Sequence, residues 1–465
     1  MPEIKNRTYG EIAIGETMSV TRTLTAVDVE ALALAAGDVD PDHIEGRGPV
    51  RDGGPTAQGA AAVALVAGVL SRRLPGPGSA IIGTNIRYAG TIRVGDTLTA
   101  SVTAQAKHDE GHRIDFSCRC VNQSGDVLVD GIATVTAPTA QIAYSNLATP
   151  ELILRHNDGF VKLLAAGKDL PAVSCAIVHP CDRDSLLGAL EAAKRGLIIP
   201  ILVGPEAKIR AVAMAERVDL APYRIASTEH SHAAAEKAVA MARAGEVEAL
   251  MKGSLHTDEL MAAVVPVSSG LRTDRRISHV FVMDVPAYPR PLLITDAAIN
   301  IDPDLECKAD ICRNAIDLAH VLGIRDPRVA ILSAVETVNP KIPSTVDAAA
   351  LCKMADRGQI TGGLLDGPLA FDNAVSVEAA KTKQIVSNVA GRADILLVPD
   401  LEAGNMLAKQ LQYLAGADSA GIVLGARVPI VLTSRSDSVR NRLASAAVLK
   451  LVAHATRTRL AAKQA

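Results

Sequence analysis

The sequence predicts two units of different class: an α+β unit over residues 1–137 and a larger α/β unit over residues 151–465, joined by a linker at 138–150. Three observations carry this reading. In the first unit an apolar helical stretch is followed by consecutive β-rich segments of alternating pattern. The segment APTAQIAYSNLATP (137–150) is small, polar and bounded by proline, as linkers are. Beyond it, short apolar runs alternate with helical stretches, which signals a parallel sheet covered by helices.

Taken in order, Ala26 to Ala36 has helical spacing and follows Thr25, a residue suited to cap a helix start. Gly59 to Leu70 is Ala/Val/Leu throughout, with charge only beyond it at Arg72 and Arg73, so a helix buried on all sides is expected. The segments Ala80–Tyr88, Thr97–Ala106, His112–Asn122 and Val127–Thr136 alternate as strands, with Gly95-Asp96 and Ser124-Gly125 as turns. In the second unit the runs SCAIVHP, IIPILVG, EALMKG, VFVMD, RVAILS, DILLVPD and VPIVLT mark strands. That unit is long enough for two subdomains with a cleft between them.

Composition narrows the function. At 465 residues the chain holds two to four domains, taking roughly 100–200 residues for each. Aromatic residues make up only 2% and Trp is absent, so the cores are packed from Ala, Val, Leu and Ile, and platforms for stacking bases are not expected. A formal net charge of -3 gives no electrostatic footprint for nucleic acid. The seven cysteines form no disulfide framework and no CxxC, which points to reduced thiols and a cytoplasmic setting. The N-terminus has no apolar signal core, and the apolar stretch Gly59–Leu70 is too short to span a bilayer.

Two stretches can carry chemistry. In GDVDPDH, a loop after a helix, Asp38 and His43 can hold one water between a carboxylate and an imidazole. Such a pair can add water across a conjugated C=C if the neighbouring carbonyl is polarised. The backbone N–H of Gly59, at a helix start, can do that. An exposed Asp/Pro turn is the plain structural reading of the same residues. A calcium loop does not fit, because His43 stands where glycine is needed and Pro49 where the bidentate Glu belongs.

GDVDPDH, followed by QGAAAVALVAGVLSRRLPGPGSAIIG and VGDTLTASV, resembles the (R)-specific enoyl-CoA hydratases of the MaoC-like hot-dog group, over about residues 10–137. The resemblance implies an α+β hot-dog domain, with Asp38 and His43 as the water-activating pair and Gly59 as the oxyanion donor. It departs at Gln58, where that group has His. A non-catalytic binding or dimerisation module of the same shape is therefore the alternative.

The second stretch is VPIVLTSRSDS, where Ser434-Arg435 puts a hydroxyl and a fixed cation after an apolar run. Other loops following predicted strands carry Ser254 and His256 (KGSLHT), Asp296 and Asn300 (TDAAIN), Asp366 (DGP), and Glu402 and Asn405 (DLEAGN). Ligands of open α/β sheets bind at such places, although each residue read singly also fits ordinary helix capping. No Walker A and no G-x-G-x-x-G sequence occurs, which argues against an NTPase or a dinucleotide enzyme.

In their order, ALEAAKRGLIIPILVGP, LMKGSLHTDEL, LLITDAAINIDPD, GGLLDGPLAFDNAV, ADILLVPDLEAGNMLAKQL and VPIVLTSRSDS resemble the phosphate acetyltransferase/phosphate butyryltransferase family over about residues 155–455. This implies a two-subdomain α/β fold similar to isocitrate and isopropylmalate dehydrogenases. It also implies the reaction of acyl-CoA with phosphate to give acyl phosphate and CoA, with no bound cofactor and no obligatory metal. Ser434 and Arg435 become catalytic, and Ser254, His256, Asp296, Asn300, Asp366, Glu402 and Asn405 line the substrate site. The acetyltransferases place an Asp where this chain has Asn441, with Asp437 offset from it. That leaves the proton acceptor unassigned and reads more like the butyryltransferase branch, with acyl length open. A decarboxylating dehydrogenase, which shares the fold, fits these motifs less well. Both families form pairs, so a homodimer or larger homo-oligomer is expected, without nucleic acid or membrane as partner.

Overall fold

The computed structural model describes residues 4–38, 40, 56–145, 158–433 and 437–464. His43, Ser434 and Arg435 lie outside the described residues. The chain divides into two compact units, Met1–Leu154 and Arg155–Ala465.

In the first unit Thr25 caps the helix Ala26–Ala36 as expected. Its hydroxyl accepts from the Asp28 N–H at 3.2 Å, and the Asp28 carboxylate accepts from the Thr25 N–H at 2.9 Å, an arrangement that stabilises a helix by about 1 kcal/mol. Five strands form an antiparallel sheet in the order Thr17–Thr23, Thr97–His108, Arg113–Val121, Val127–Thr136, Ala80–Tyr88. The period of two is visible in the side chains. Leu98, Ala100, Val102 and Ala104 point into the core. The alternate threonines pair outward across the first two strands, with Thr17–Thr103, Thr21–Thr99 and Thr23–Thr97 hydroxyls 2.8, 3.0 and 2.9 Å apart.

The helix Ala60–Arg72 packs on the inner face of this sheet, against Phe116 and Cys118 among others. It is buried through Ala61, Ala62, Val66, Val69 and Leu70, while Ala64 is exposed. The expectation of burial on all sides is thus corrected, because one sheet covers one face. The stretch read as a linker also differs. Ala143–Tyr144 pairs with Ile4–Lys5, and Asn6 donates to the Ala140 carbonyl at 2.8 Å. Up to Tyr144 it is fastened to the first unit, while 146–150 lie outside the described residues.

The second unit contains an eleven-stranded sheet among its described residues. From edge to edge the strands are Arg224–Ser227, Ile198–Gly204, Val173–Val178, Ala249–Lys252, Ile430–Val431, Asp418–Leu424, Ser278–Asp284, Leu292–Thr295, Ile395–Leu397, Arg328–Leu332 and Leu364–Leu369. The first five run parallel, and so do the last four. Asp418–Leu424 and Ser278–Asp284 pair antiparallel with their neighbours. The sheet is therefore mixed rather than wholly parallel. The links Val285–Pro291 and Gly425–Pro429 are too short for the crossover that a parallel pair needs. The final helix, Val439–Gln464, buries Leu443, Ala446, Ala447 and Leu449 against the first block. The cores are Ala/Val/Leu/Ile-packed as composition implies. No described helix is long and apolar enough to cross a membrane.

Candidate active site

In the first unit the helix Ala26–Ala36 ends at Gly37 in the left-handed region, which delivers Asp38 to the next turn. The Asp38 carboxylate accepts from Gln58 Nε2 at 2.9 Å and from the Asp40 N–H at 2.9 Å. The structure therefore joins Asp38 to the residue preceding Gly59. Gly59 opens the helix Ala60–Arg72, and the Tyr88 ring closes over it. A cavity of about 500 Å³ lies there, lined by Thr56, Ala57, Gly59, Tyr88, Gly90 and Thr91 among others. A helix N-terminus facing a cavity favours negative charge on a ligand. Gln58 Oε1 is buried without a hydrogen bond among the described residues, so the side chain standing where the hydratases have His is an amide held by Asp38.

In the second unit, Ser254 ties two strand-end loops together. Its hydroxyl donates to the His179 carbonyl at 2.9 Å and accepts from the Cys181 N–H at 3.3 Å, and the His179 Nδ1 lies 3.0 Å away. Gly253 is required beside it, since a Cβ there would stand 2.5 Å from the carbonyl oxygens of Val178 and His179. Burial lowers the His179 pKa, helped by the charge of Lys208. His256 is exposed at the start of the helix Thr257–Val264.

Lys252 ends its strand at 4% exposure and donates from Nζ to the Thr433 carbonyl oxygen at 3.4 Å. Arg442, also 4% exposed, donates from Nη1 to the Thr433 hydroxyl at 2.9 Å. Two buried cations thus meet at the residue that precedes Ser434-Arg435 in sequence. Reading the sequence missed Arg442. The available signal was a charge at the helical spacing of the buried Ala446, Leu449 and Ala453.

Asp296 organises its own loop. Its buried carboxylate accepts from the N–H groups of Ala298, Ile299 and Asn300 at 3.0, 3.1 and 3.2 Å and from Asn300 Nδ2 at 2.6 Å. Burial raises its pKa against the pull of those hydrogen bonds. Asn300 Nδ2 also reaches the Ile277 carbonyl, and Asn405 Nδ2 holds the Ala297 carbonyl at 3.2 Å. Ile299 packs on the apolar cluster that contains Leu255, Ile277 and Leu432. That cluster brings together Leu255, Ile299 and Leu432, the sequence neighbours of Ser254, Asn300 and Thr433, whereas Asn405, expected in a loop, lies inside the helix Leu401–Tyr413. Glu402 is exposed in the first turn of Leu401–Tyr413, whose cap is Asp400.

Asp366 is not placed in a loop after a strand. It sits inside the edge strand Leu364–Leu369, with its carboxylate on the Gly367 N–H at 2.9 Å. Asn441 is buried and engaged with Ser419. Its Oδ1 accepts from the Ser419 N–H at 3.5 Å, and its Nδ2 donates to the Ser419 hydroxyl at 3.3 Å. Asp437, buried nearby in sequence, accepts from Gln412 Nε2 at 3.3 Å.

The second unit is thus an α/β unit built on one mixed sheet. Residues 225–449 match the family model described as "Phosphate acetyl/butaryl transferase". The phosphate acetyltransferase of Rhizobium meliloti is 67% identical over 293 residues, 63% of this chain and 92% of the relative. The phosphate butyryltransferase of Clostridium acetobutylicum is 41% identical over 286 residues, 62% of this chain and 94% of the relative. The crystal structure of a branched-chain phosphotransacylase from Enterococcus faecalis V583 aligns with a TM-score of 0.52 at 29% identity, covering 60% of this chain and 99% of its own. The chain belongs to the phosphate acetyl/butyryl transferase family.

Proposed function

We propose that this chain is a bifunctional acyl-CoA enzyme in which the second unit exchanges an acyl group between CoA and phosphate. The observation that carries this reading is the meeting of buried Lys252 and Arg442 at Thr433, directly before Ser434-Arg435. A phosphate oxygen attacks the thioester carbonyl carbon, the C–O bond forms, the C–S bond breaks, and CoA leaves as thiolate. Arg435 binds phosphate with its planar fork, and Ser434 donates to the developing oxyanion. In the reverse direction a base must take the thiol proton. Asn441 cannot serve, and we assign that step to Asp437, the buried carboxylate between Arg435 and the final helix.

The substrates are an acyl-CoA and phosphate, and the reaction needs no bound cofactor. The identity of 67% to a phosphate acetyltransferase, against 41% to a phosphate butyryltransferase, favours acetyl-CoA over the butyryl reading drawn from Asn441. The two parallel blocks of the sheet correspond in this reading to two subdomains similar to those of isocitrate and isopropylmalate dehydrogenases. Ser254, His256, Asp296, Asn300, Glu402 and Asn405 line the substrate site in this reading, and Asp366, inside the edge strand Leu364–Leu369, does not. The enzyme works in the cytoplasm as a homodimer or larger homo-oligomer, and the residues beyond Tyr144 act as the connection to the second unit.

The first unit is assigned the hydration of 2-enoyl-CoA to 3-hydroxyacyl-CoA, with Asp38 and His43 activating water and the Gly59 N–H polarising the thioester carbonyl. The Gln58–Asp38 hydrogen bond also supports a second reading, a binding or dimerisation module without chemistry. Two assays decide. CoA release from acetyl-, propionyl- and butyryl-CoA, with and without phosphate, is expected to fall with chain length. A maximum at butyryl-CoA reverses the acyl assignment. Loss of the conjugated-thioester absorbance of crotonyl-CoA, abolished in His43→Ala, is expected for a hydratase. No loss with wild-type protein leaves the module reading.

A further inference from the structure

Within the second unit the chain passes between the two parallel blocks twice, through Arg272–Arg276 and back through Gly425–Pro429. These crossing segments run side by side. The Thr273 hydroxyl donates to the Gly425 carbonyl at 2.7 Å, the Arg427 N–H donates to the Leu271 carbonyl at 2.8 Å, and Arg272 bridges Ala426. The contact is close enough to require glycine, since a Cβ on Gly425 would stand 2.2 Å from the Arg276 carbonyl oxygen. These segments carry the chain from one block to the other.

A cavity of about 660 Å³ opens on these two segments, within the range of small-molecule sites. Its floor is apolar: Leu318 and Val321 from the helix Leu305–Val321, and Val452 and Ala455 from the final helix. Its rim is basic. Asp317 holds both Arg275, at 2.7 Å, and Arg459, at 3.4 Å. Arg427, the third arginine of the rim, is exposed and makes no ion pair among the described residues. Asp274 also lines the cavity, so three guanidinium groups face two carboxylates and the rim keeps one net positive charge, enough to favour one further anion. Pro429 lines this cavity and Thr433 adjoins the transfer loops, so the two sites lie beyond opposite ends of the strand Ile430–Val431.

We propose that this cavity is a regulatory site for a small organic anion, its carboxylate or phosphate head held by Arg427 and Arg459 and its aliphatic body on Leu318, Val321 and Val452. Occupation clamps the crossing segments and so biases the angle between the two blocks. The site is separate from the transfer loops, and its test needs no turnover. Hexanoate and hexyl phosphate are titrated against the full-length protein, with the melting temperature as readout. A saturable rise is expected, because a ligand that binds only the folded state stabilises it. In Arg427→Ala the half-maximal concentration should rise at least about tenfold, the cost of one charged hydrogen bond. Ala455→Phe, which fills the floor, should weaken the same response. A response to hexanoate alone supports a carboxylate ligand, and a response to hexyl phosphate alone supports a phosphate ester. Backbone hydrogen exchange at 271–276 and 425–429 should slow with the probe bound. No saturable rise with either probe, or equal responses in wild type and Arg427→Ala, overturns the site. Unchanged exchange at both segments with the probe bound overturns the clamp.

Discussion

The ammonium group of Lys252 lies 3.4 Å from the carbonyl oxygen of Thr433, which fixes a buried cation at the strand end beside the proposed phosphate site. Lys252→Met keeps the length of the side chain and removes its charge. It is expected to raise the KM for phosphate and to lower kcat/KM about 10²-fold, comparable to losing one electrostatic contact in a closed site. Initial rates at varied phosphate check this. An unchanged phosphate KM would make Lys252 a packing residue only.

Arg435→Ala is expected to lower kcat by about 10²–10³-fold. Ser434→Ala should cost less, since a neutral donor contributes less than a charged one. Steady-state rates on acetyl-CoA decide. A loss below about threefold for Arg435→Ala would reduce that residue to a helix-start charge.

Asp437→Asn is expected to slow acyl transfer from acyl phosphate to CoA by about 10²–10⁴-fold, the range for a lost general base. Asn441→Ala should behave differently. It leaves the Ser419 N–H without its side-chain partner inside the protein, at about 1–3 kcal/mol of stability, with the phosphate KM unchanged. Equal kinetic loss in both variants would separate proton transfer from Asp437.

His279 is fully buried and stacks edge-on against Phe281 with ring centroids 4.4 Å apart. Burial holds its pKa down at about 4, against a weaker pull from the Leu432 backbone. The unfolded chain protonates this imidazole near 6.5, so between those values it binds more protons than the folded protein. Stability is therefore full above pH 6.5 and falls as pH drops toward 4, by about 3 kcal/mol over the window. Denaturant titrations from pH 4 to 7 should show this slope in wild type and a flatter one in His279→Leu. Parallel curves for the two proteins contradict it.

Much of the layout was legible because it rests on local chemistry. Thr25 and Asp28 cap the first helix through neighbours three residues apart, and Thr97–His108 alternates because one face of its sheet is buried. The strand-end positions of Lys252 and Thr433 followed from apolar runs ending in polar residues. What escaped depends on contacts distant in sequence. The antiparallel strands at the centre of the second sheet follow from link lengths and from pairing Ser278–Asp284 with Asp418–Leu424. The burial of Arg442 against Thr433, the tie of Asn441 to Ser419 and the fastening of Ala143–Tyr144 to Ile4–Lys5 are likewise set by tertiary partners. Asp366 looked like a loop residue because Gly-Pro follows it, yet the edge strand Leu364–Leu369 accommodates that proline.

The most direct test is the release of free CoA thiol from acetyl-CoA by the purified full-length protein, with and without inorganic phosphate. Phosphate-dependent release with stoichiometric acetyl phosphate, lost in Arg435→Ala, is the predicted result. Release that is independent of phosphate, or no release from any acyl-CoA, would contradict the assignment.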